Sequence, residues 1–564
     1  MNDFKIKKKM LQIAYFSMEF GLNKNMNTYC GGLGILAGDT VKSASDMGLS
    51  MVGVSLLYKN GWLKQEIDNQ LGQTEQPDQW DYKNFLTLRP ETFTLRIKNQ
   101  DVLVHIWQYL VSSNPLNPVP IFFLDIDLPE NSEEMRAVND VIYSGDKNIW
   151  YCQETLLGLG GAMALEALGY NDIDIFHLNE SHAAYLTLFL REKYGSWEAV
   201  QQKLCFTTHT PLAGAHQKLQ LNTVQQYIDT VYSQHISENV LDEGNLDFSK
   251  LCFFASKFSN AVANRHKEIT SQMYPDFKID YITNGVHHPT WIADPMQKVF
   301  DDNIFDWKQN PDYLRQAIRL DDELVINAHK ESKQLLIDFI NKQKNDRDDQ
   351  NIFDVNAFTI GFARRAVPYK RAHFIFQDFE KLQEISKNVG SIQIVFAGKT
   401  SGNDVEGKAN ILKVLEFAKK SNKTLNIFYI ENYNMDVAEK MVSGVDVWLN
   451  TPLPPLEASG TSGMKTALNG IPSFSVLDGW WPEGHIEGVT GWSIGQYQCD
   501  GEICRILETS DIYEKLEKTI LPLFYKNKTD WTKIMKSCIA FNGSHFNTNR
   551  MLCEYLIKGY LKVV

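Results

Sequence analysis

Short runs of β-branched and aromatic residues recur along the chain, and many stop at a polar or glycine-rich tip. Ile13–Glu19 runs toward Gly31-Gly-Leu-Gly34, and Asp174–Leu178 runs into Asn179-Glu-Ser-His182. Leu204–Thr208 runs into His209-Thr-Pro211, and Ile279–Thr283 into Asn284-Gly-Val286. The pattern returns later: Ala357–Ala363 into Arg364-Arg365, Ile392–Ala397 into Gly398-Lys399, and Leu425–Ile430 into Glu431-Asn-Tyr433. Val445–Leu449 into Asn450-Thr-Pro452 and Ser473–Leu477 into Asp478-Gly479 complete it. Between the runs lie helix-like segments such as Lys408–Ser421 and Asp436–Val442. Strand, polar tip, helix, strand predicts an α/β protein with parallel sheets. In such sheets ligands gather beyond the carboxyl ends of the strands, so the tips are where chemistry is sought.

A break falls near the middle. Residues 322–342 have helical spacing, 341–350 is a charged, polar connector, and a second βα series starts at 357. Two sheet domains with a cleft between them are the simplest arrangement. The last segment, Phe546–Leu561, has apolar residues at helical spacing, with Asn547, Thr548 or Asn549 as caps. No apolar run approaches the ~20 residues of a membrane helix. Gln12 and Glu19 interrupt the stretch behind the basic start, so no signal peptide is expected.

Composition narrows the class. The 564 residues are 43% hydrophobic and 22% charged, as in a soluble globular protein. At roughly 100–200 residues per domain, two to four domains are expected. Lys and Arg number 56 and Asp and Glu 69, a net charge of −13. That balance argues against charge-driven nucleic-acid binding but leaves room for a small basic pocket and an anionic substrate. The eight scattered cysteines read as free or buried thiols in a reducing cytoplasm, not as a disulfide framework. His177 and His182, His209 and His216, and His287-His288 are present, but H-E-x-x-H and C-x-x-C are not, so no metal is expected. Twelve tryptophans suit a sugar-binding protein and equally suit a packed core.

Three stretches carry candidate chemistry. In Glu457-Ala-Ser-Gly-Thr-Ser-Gly-Met-Lys465, small residues let the backbone approach an anion at the start of a predicted helix. Lys465 lies about a turn inside, placed for a phosphate clamp or a Schiff base. The bland alternative is a flexible loop feeding a surface helix. In Gly361–Arg371, Arg364, Arg365, Lys370 and Arg371 put four cations within eight positions at a strand tip, either a phosphate pocket or a solvated basic turn. Gly31-Gly-Leu-Gly-Ile-Leu-Ala-Gly38 contains G-x-G-x-x-A, yet no acidic strand end follows about 20 residues on, as a dinucleotide site requires.

The stretch from Glu457 to Asn469 resembles the pyridoxal-phosphate (PLP) attachment motif of glycogen and α-glucan phosphorylases, E-A-S/C-G-x-G/S-x-M-K-x-x-L/M-N. Thr451–Leu456 and Val476–Gly484 look like the shorter bacterial and archaeal branch. The resemblance implies the GT-B glycosyltransferase type, two Rossmann-like domains with a deep cleft. Residues 1–290 would carry the glycine loop and glucan side, and 291–564 would bind PLP, with the last helix free to pack back on the first domain. Lys465 would attach PLP, with Arg364, Thr461, Gly460, Tyr433 and Trp291 lining the cofactor pocket. Arg365 and Lys370 would clamp the substrate phosphate, which the N–H groups of Gly31, Gly32, Leu33 and Gly34 would face. Glu457, Ser459, Tyr369, Asn284, Glu180, Glu19 and His209 would surround the sugar.

The implied reaction is reversible phosphorolysis of an α-1,4-glucan (glycogen or maltodextrin) by inorganic phosphate, giving α-glucose 1-phosphate with retention in a cytoplasmic protein. A homodimer is the assembly the family allows. Two departures stand out. Trp150 replaces the usual arginine of R-x-x-Q near the gate segment Tyr143–Lys147, and Leu453-Pro454 replaces an often basic pair. Asp146 is a candidate gate residue. A nucleotide-sugar glucan synthase of the same architecture and a glucan-binding protein with a decayed site are the competing expectations. The Met464-Lys465 pair counts against the first, and the intact cationic and acidic set against the second.

Overall fold

The computed structural model describes residues 11–68, 72–346, 351–499 and 501–561. Among these the chain builds two large sheets. The first runs Asp280–Tyr281, Phe258–Ala261, Leu204–Thr207, Ile175–Asn179, Ile13–Phe16, Met51–Leu56, Val119–Asp125, Gln100–Val111, Thr87–Ile97. Its first seven strands are parallel, and the last two form an antiparallel edge. The second sheet is all parallel: Leu425–Ile430, Ile392–Ala397, Phe358–Ala363, Val447–Asn450, Ser473–Val476, Gly491–Ile494.

The inner strands are buried along their whole length, which is why they read as unbroken apolar runs such as Ile-Gln-Ile-Val-Phe-Ala at 392–397. The edge strand Thr87–Ile97 alternates polar and apolar residues instead, and the two-residue turn Lys98-Asn99, both with positive φ, returns it as a hairpin. That alternation hid it from a search for apolar runs.

In each sheet the chain order reverses at the centre. Ile13–Phe16 continues to Met51–Leu56 on one side, while Ile175–Asn179 and its successors fill the other. Phe358–Ala363 continues to Ile392–Ala397 on one side, while Val447–Asn450 starts the opposite wing. Such a reversal opens a crevice beyond the strand ends, because adjacent connections leave on opposite faces. Glu19 and the glycine loop follow one central strand, and Asn179-Glu180 its neighbour. Arg364-Arg365 and Asn450 occupy the matching places in the second sheet.

The expected helix at 322–342 spans Asp322–Asp346, so the supposed connector is helical through most of its length, and its residues 347–350 lie outside the described residues. Asn547 caps the helix Thr548–Tyr555, its Oδ1 accepting the Arg550 N–H at 2.9 Å. Met551, Leu552, Tyr555 and Tyr560 pack into the core that holds Ile13, Tyr15 and Ile121. Phe546 belongs instead to the core around the second sheet. A hairpin, Lys64–Asp68 with Gly72–Gln76, reaches across: Gln65 donates to the Gly398 carbonyl at 2.7 Å and Gln73 to that of Thr400 at 2.8 Å.

One expectation is corrected. Cys499 and Cys504 form a disulfide, their Cα atoms brought to 5.7 Å by the turn into the helix Gly501–Lys515, within bridging range. The other six cysteines are free. Among the described residues no helix is long and apolar enough to cross a membrane.

Candidate active site

The second half gathers its charges on one carboxylate. Glu457 is buried, and its Oε2 lies 2.7 Å from Arg364 Nη1 and 2.6 Å from Lys370 Nζ. Burial alone would raise the Glu457 carboxyl, but Arg364 and Lys370 outweigh it and hold it at about 2. Lys370 is pushed down to about 7 by burial and the adjacent Arg364, against the pull of Glu457. Arg364 also donates to Asn450 Oδ1 at 3.1 Å. Gly460 sits beside this cluster with φ +83°, and a Cβ there would stand 3.4 Å from the Glu457 carboxyl carbon and 3.5 Å from Arg364 Nη2. A Cβ would fit there in ordinary contact, so it is the backbone conformation that favours glycine.

Asp478 Oδ2 accepts the Glu457 N–H at 2.9 Å. Burial, with the charge of Glu457 nearby, pushes the Asp478 carboxyl up to about 7. Ser459 Oγ is buried without a hydrogen-bond partner. Tyr433 is half-buried, its hydroxyl raised to about 12 by burial despite the nearby Arg364.

Lys465 lies in the short helix Ser462–Leu468, which starts after Thr461. Its Nζ stands 3.7 Å above the centre of the Trp291 ring, and it makes no ion pair among the described residues. Burial lowers its ammonium to about 8. Asn469 ties this helix to the Trp291 segment: its Nδ2 donates to the Trp291 carbonyl at 2.8 Å, and its Oδ1 accepts from Ala293 N at 2.9 Å.

The first half contributes a different kind of site. Glu19 Oε2 accepts the N–H groups of Cys30 at 2.5 Å and Gly31 at 2.9 Å, while Oε1 accepts the Tyr143 hydroxyl at 2.9 Å. A Cβ on Gly34 would stand 2.6 Å from Glu19 Oε2, so the third loop glycine makes room for that carboxylate. The first ladder bond of the helix Gly32–Asp46 runs from Ile35 N–H to the Gly31 carbonyl. The N–H groups of Gly32, Leu33 and Gly34 therefore stand outside the ladder, whereas that of Gly31 is engaged by Glu19. Arg365 is the cation that faces this loop: it is exposed, and a Cβ on Gly31 would stand 3.9 Å from its Cδ.

Glu180, held at φ 71°, accepts the N–H of His209 at 2.7 Å and the Thr210 hydroxyl at 3.1 Å. Burial lowers His209 to about 4, so the ring is neutral. Its Nε2 donates to Asn179 Oδ1 at 2.7 Å, which leaves Nδ1 to accept. Asn284 Oδ1 is buried without a partner, and Gly285 allows the Asn547 carbonyl group to press against this turn, 2.2 Å from where a Cβ would be. Tyr369 is half-buried next to Lys370, whose Nζ lies 4.4 Å from its ring centre.

The departures find plain roles. Trp150 stacks on Tyr143 at 5.3 Å, packs edge-on to His182 and donates to Gln217 Oε1 at 2.8 Å, so an aromatic face supports the residue that binds Glu19. Asp146 caps the helix Lys147–Thr155 by accepting the Asn148 N–H at 2.7 Å. Leu453 is exposed and donates its N–H to the Tyr369 carbonyl at 2.7 Å. His177 is a core residue bonded to Tyr560 and Thr207, and His287 pairs with Asp46. Among the described residues no group of three or more ligating side chains is placed for a metal. Sequence reasoning passed over Asp39, Lys42 and Asp478 as site residues. Asp478 carried a signal as a strand tip, and Asp39 follows Gly32 by two helical turns and so shares its face.

The carbohydrate phosphorylase family model matches residues 190–483. The chain is 34% identical to a maltodextrin phosphorylase of Thermococcus litoralis, over 98% of this chain and 71% of that protein. It is 33% identical to a glycogen phosphorylase of Aquifex aeolicus, over 98% and 86%, and 30% identical to one of Mycobacterium tuberculosis, over 96% and 70%.

Proposed function

We propose that this chain, which belongs to the carbohydrate phosphorylase family, is a PLP-dependent α-glucan phosphorylase. It moves the glucosyl unit at the non-reducing end of an α-1,4-glucan onto inorganic phosphate, giving α-glucose 1-phosphate with retention. Two observations carry this reading: Arg364 and Lys370 meet on Glu457, and eight residues further along the same stretch the buried amine of Lys465 lies on the Trp291 ring. On the same reading the chain is a GT-B pair of Rossmann-like domains divided near 290/291, and the last helix bridges them.

The residues fit PLP. Lys465 would offer PLP an amine whose ammonium is weakened to about 8, with the Trp291 indole as an apolar wall beside it. Arg364 supplies positive charge for a cofactor phosphate. Thr461, Gly460 and Tyr433 complete that pocket. Bound PLP supplies a second phosphate group able to share a proton with the substrate phosphate.

The chain's own task is to hold and orient. Arg365, Lys370 and the free N–H groups of Gly32, Leu33 and Gly34 bind the substrate phosphate. Glu457, Asn284, Tyr369, Ser459 and the neutral His209 take the glucosyl hydroxyls, with Glu19 and Glu180 fixing the loops that present them. The substrate phosphate gives its proton to the glycosidic oxygen as that oxygen leaves C1, and a phosphate oxygen then bonds C1 on the same face. No side chain acts as nucleophile; the positive site stabilises the phosphate dianion that faces the oxocarbenium-like centre.

Incubation with maltodextrin and phosphate, read for glucose 1-phosphate with and without added PLP, tests the proposal. Formation that depends on PLP supports it. Elongation with ADP-glucose and no product with phosphate overturns it.

A further inference from the structure

Asp39 lies two turns into the helix Gly32–Asp46 and is 1% exposed. Its Oδ2 accepts the Trp291 indole N–H at 2.8 Å, while Oδ1 is buried with no hydrogen-bond partner. An indole N–H lies in the ring plane, so Asp39 sits at the edge of the ring whose face carries Lys465 Nζ 3.7 Å away. Holding the indole needs only one acceptor, which a neutral amide provides equally well. A second carboxylate oxygen left bare in the interior has lost its water with no hydrogen bond in return. The charge of Asp39 is therefore what its structural contact leaves unexplained.

Three charged groups act on Lys465 from the surrounding helices. Asp39 and Lys42 come from Gly32–Asp46, and Glu439 from Met435–Gly444. Asp39 acts most strongly of the three and favours the ammonium, Lys42 opposes it, and Glu439 adds a weaker pull. Lys42 is itself drawn aside, donating to Thr290 Oγ1 at 3.3 Å.

We propose that Asp39 is a positioning residue, the counter-ion that keeps the Lys465 nitrogen in its protonated form within the cofactor site, an inference that rests on the PLP reading above. The hydrogen bond to Trp291 holds the carboxylate at the edge of the ring whose face carries the amine.

The test uses full-length protein loaded with PLP and follows cofactor absorbance against pH. In Asp39→Asn, which keeps an acceptor for the indole, the midpoint of the protonation change should fall by about one pH unit or more. Glu439→Gln, which removes the weaker pull and leaves Asp39 in place, should lower the midpoint less than Asp39→Asn does. Asp39→Ser, also neutral, repeats the measurement should Asp39→Asn fold poorly. An unchanged midpoint in the neutral Asp39 variants overturns the proposal, as does an equal fall in Glu439→Gln, which would assign the effect to the general charge around the amine. A wild-type protein that takes up no PLP sinks the cofactor reading instead. The pH dependence of reductive methylation at Lys465, read by peptide mass, then decides the matter for Asp39. Labelling of Asp39→Asn that begins about one pH unit lower supports the proposal, and coincident profiles overturn it.

Discussion

Glu19 follows a central strand of the first sheet and Glu457 a central strand of the second, and both are buried, yet they are neutralised by different means. Two backbone N–H groups and a tyrosine hydroxyl hold Glu19; an arginine and a lysine hold Glu457. Dipoles fix a carboxylate in place without changing the net charge around it. Cations do both, and with Arg365 the second half presents three cations against Glu457 and the weakly acidic Asp478. The first half is therefore a rigid frame that leaves three loop N–H groups unspent. The second is a positive basin able to take phosphate in a protein whose overall charge is −13.

The largest expected effect lies just outside the pair. Lys465→Ala should lower glucose 1-phosphate formation on the order of 10³-fold or more, because PLP loses its point of attachment. A PLP-free variant that works at the wild-type rate removes the basin from the chemistry. Glu457→Gln comes next. It leaves two cations facing each other in the interior, at about 3–5 kcal/mol, read as a fall in denaturation midpoint. Glu19→Gln loses only charge-assisted hydrogen bonds, about 1.5–3 kcal/mol. An equal or larger loss for Glu19→Gln would break the contrast between cation and dipole.

pH separates the two carboxylates further. The Glu457 carboxyl is lowered from 4.5 to about 2 on folding, so its contribution is complete above 4.5 and disappears as pH falls from there to about 2. Stability curves of wild type and Glu457→Gln should converge across that window, and parallel curves would refute the assignment. Lys370 works in the opposite sense. Its folded value of about 7 lies below 10.5, so the unfolded chain binds more protons between them and stability rises with pH over that interval. Phosphate affinity should fall over the same interval as the cation is lost, and Lys370→Arg should hold its affinity. The smallest effect is Trp150→Ala. Loss of the stack on Tyr143 costs about 0.5–1.5 kcal/mol and should show as faster proteolysis at residues 143–147, with Glu457 untouched.

Much of the second sheet was legible because its strands are buried on both faces. Ile392–Ala397 and Leu425–Ile430 coincide with the apolar runs that predicted them, and Phe358–Ala363 starts one residue late. The Thr87–Val111 hairpin was not legible, since half of its side chains face water and dilute the signal. Asp146 shows the limit in the other direction: a polar residue in a suspected gate is a helix cap.

The site divides in the same way. Residue types packed into short stretches, such as Glu457 to Lys465 and Arg364 to Lys370, reveal an anion site because their chemistry is local. Their partnerships are not local. Lys370 meets Glu457 across 87 residues, and Trp291 meets Asp39 across 252. Sequence alone determined which groups exist and which strand ends carry them, since hydrophobic burial fixes the strands and the chain order fixes the tips. Only the tertiary structure decided that Glu19 would bind Gly31, that Arg364 would join Lys370 on Glu457, and that Asp39 would share a ring with Lys465. Charge interactions depend on distance and burial, and neither exists until the two sheets have packed.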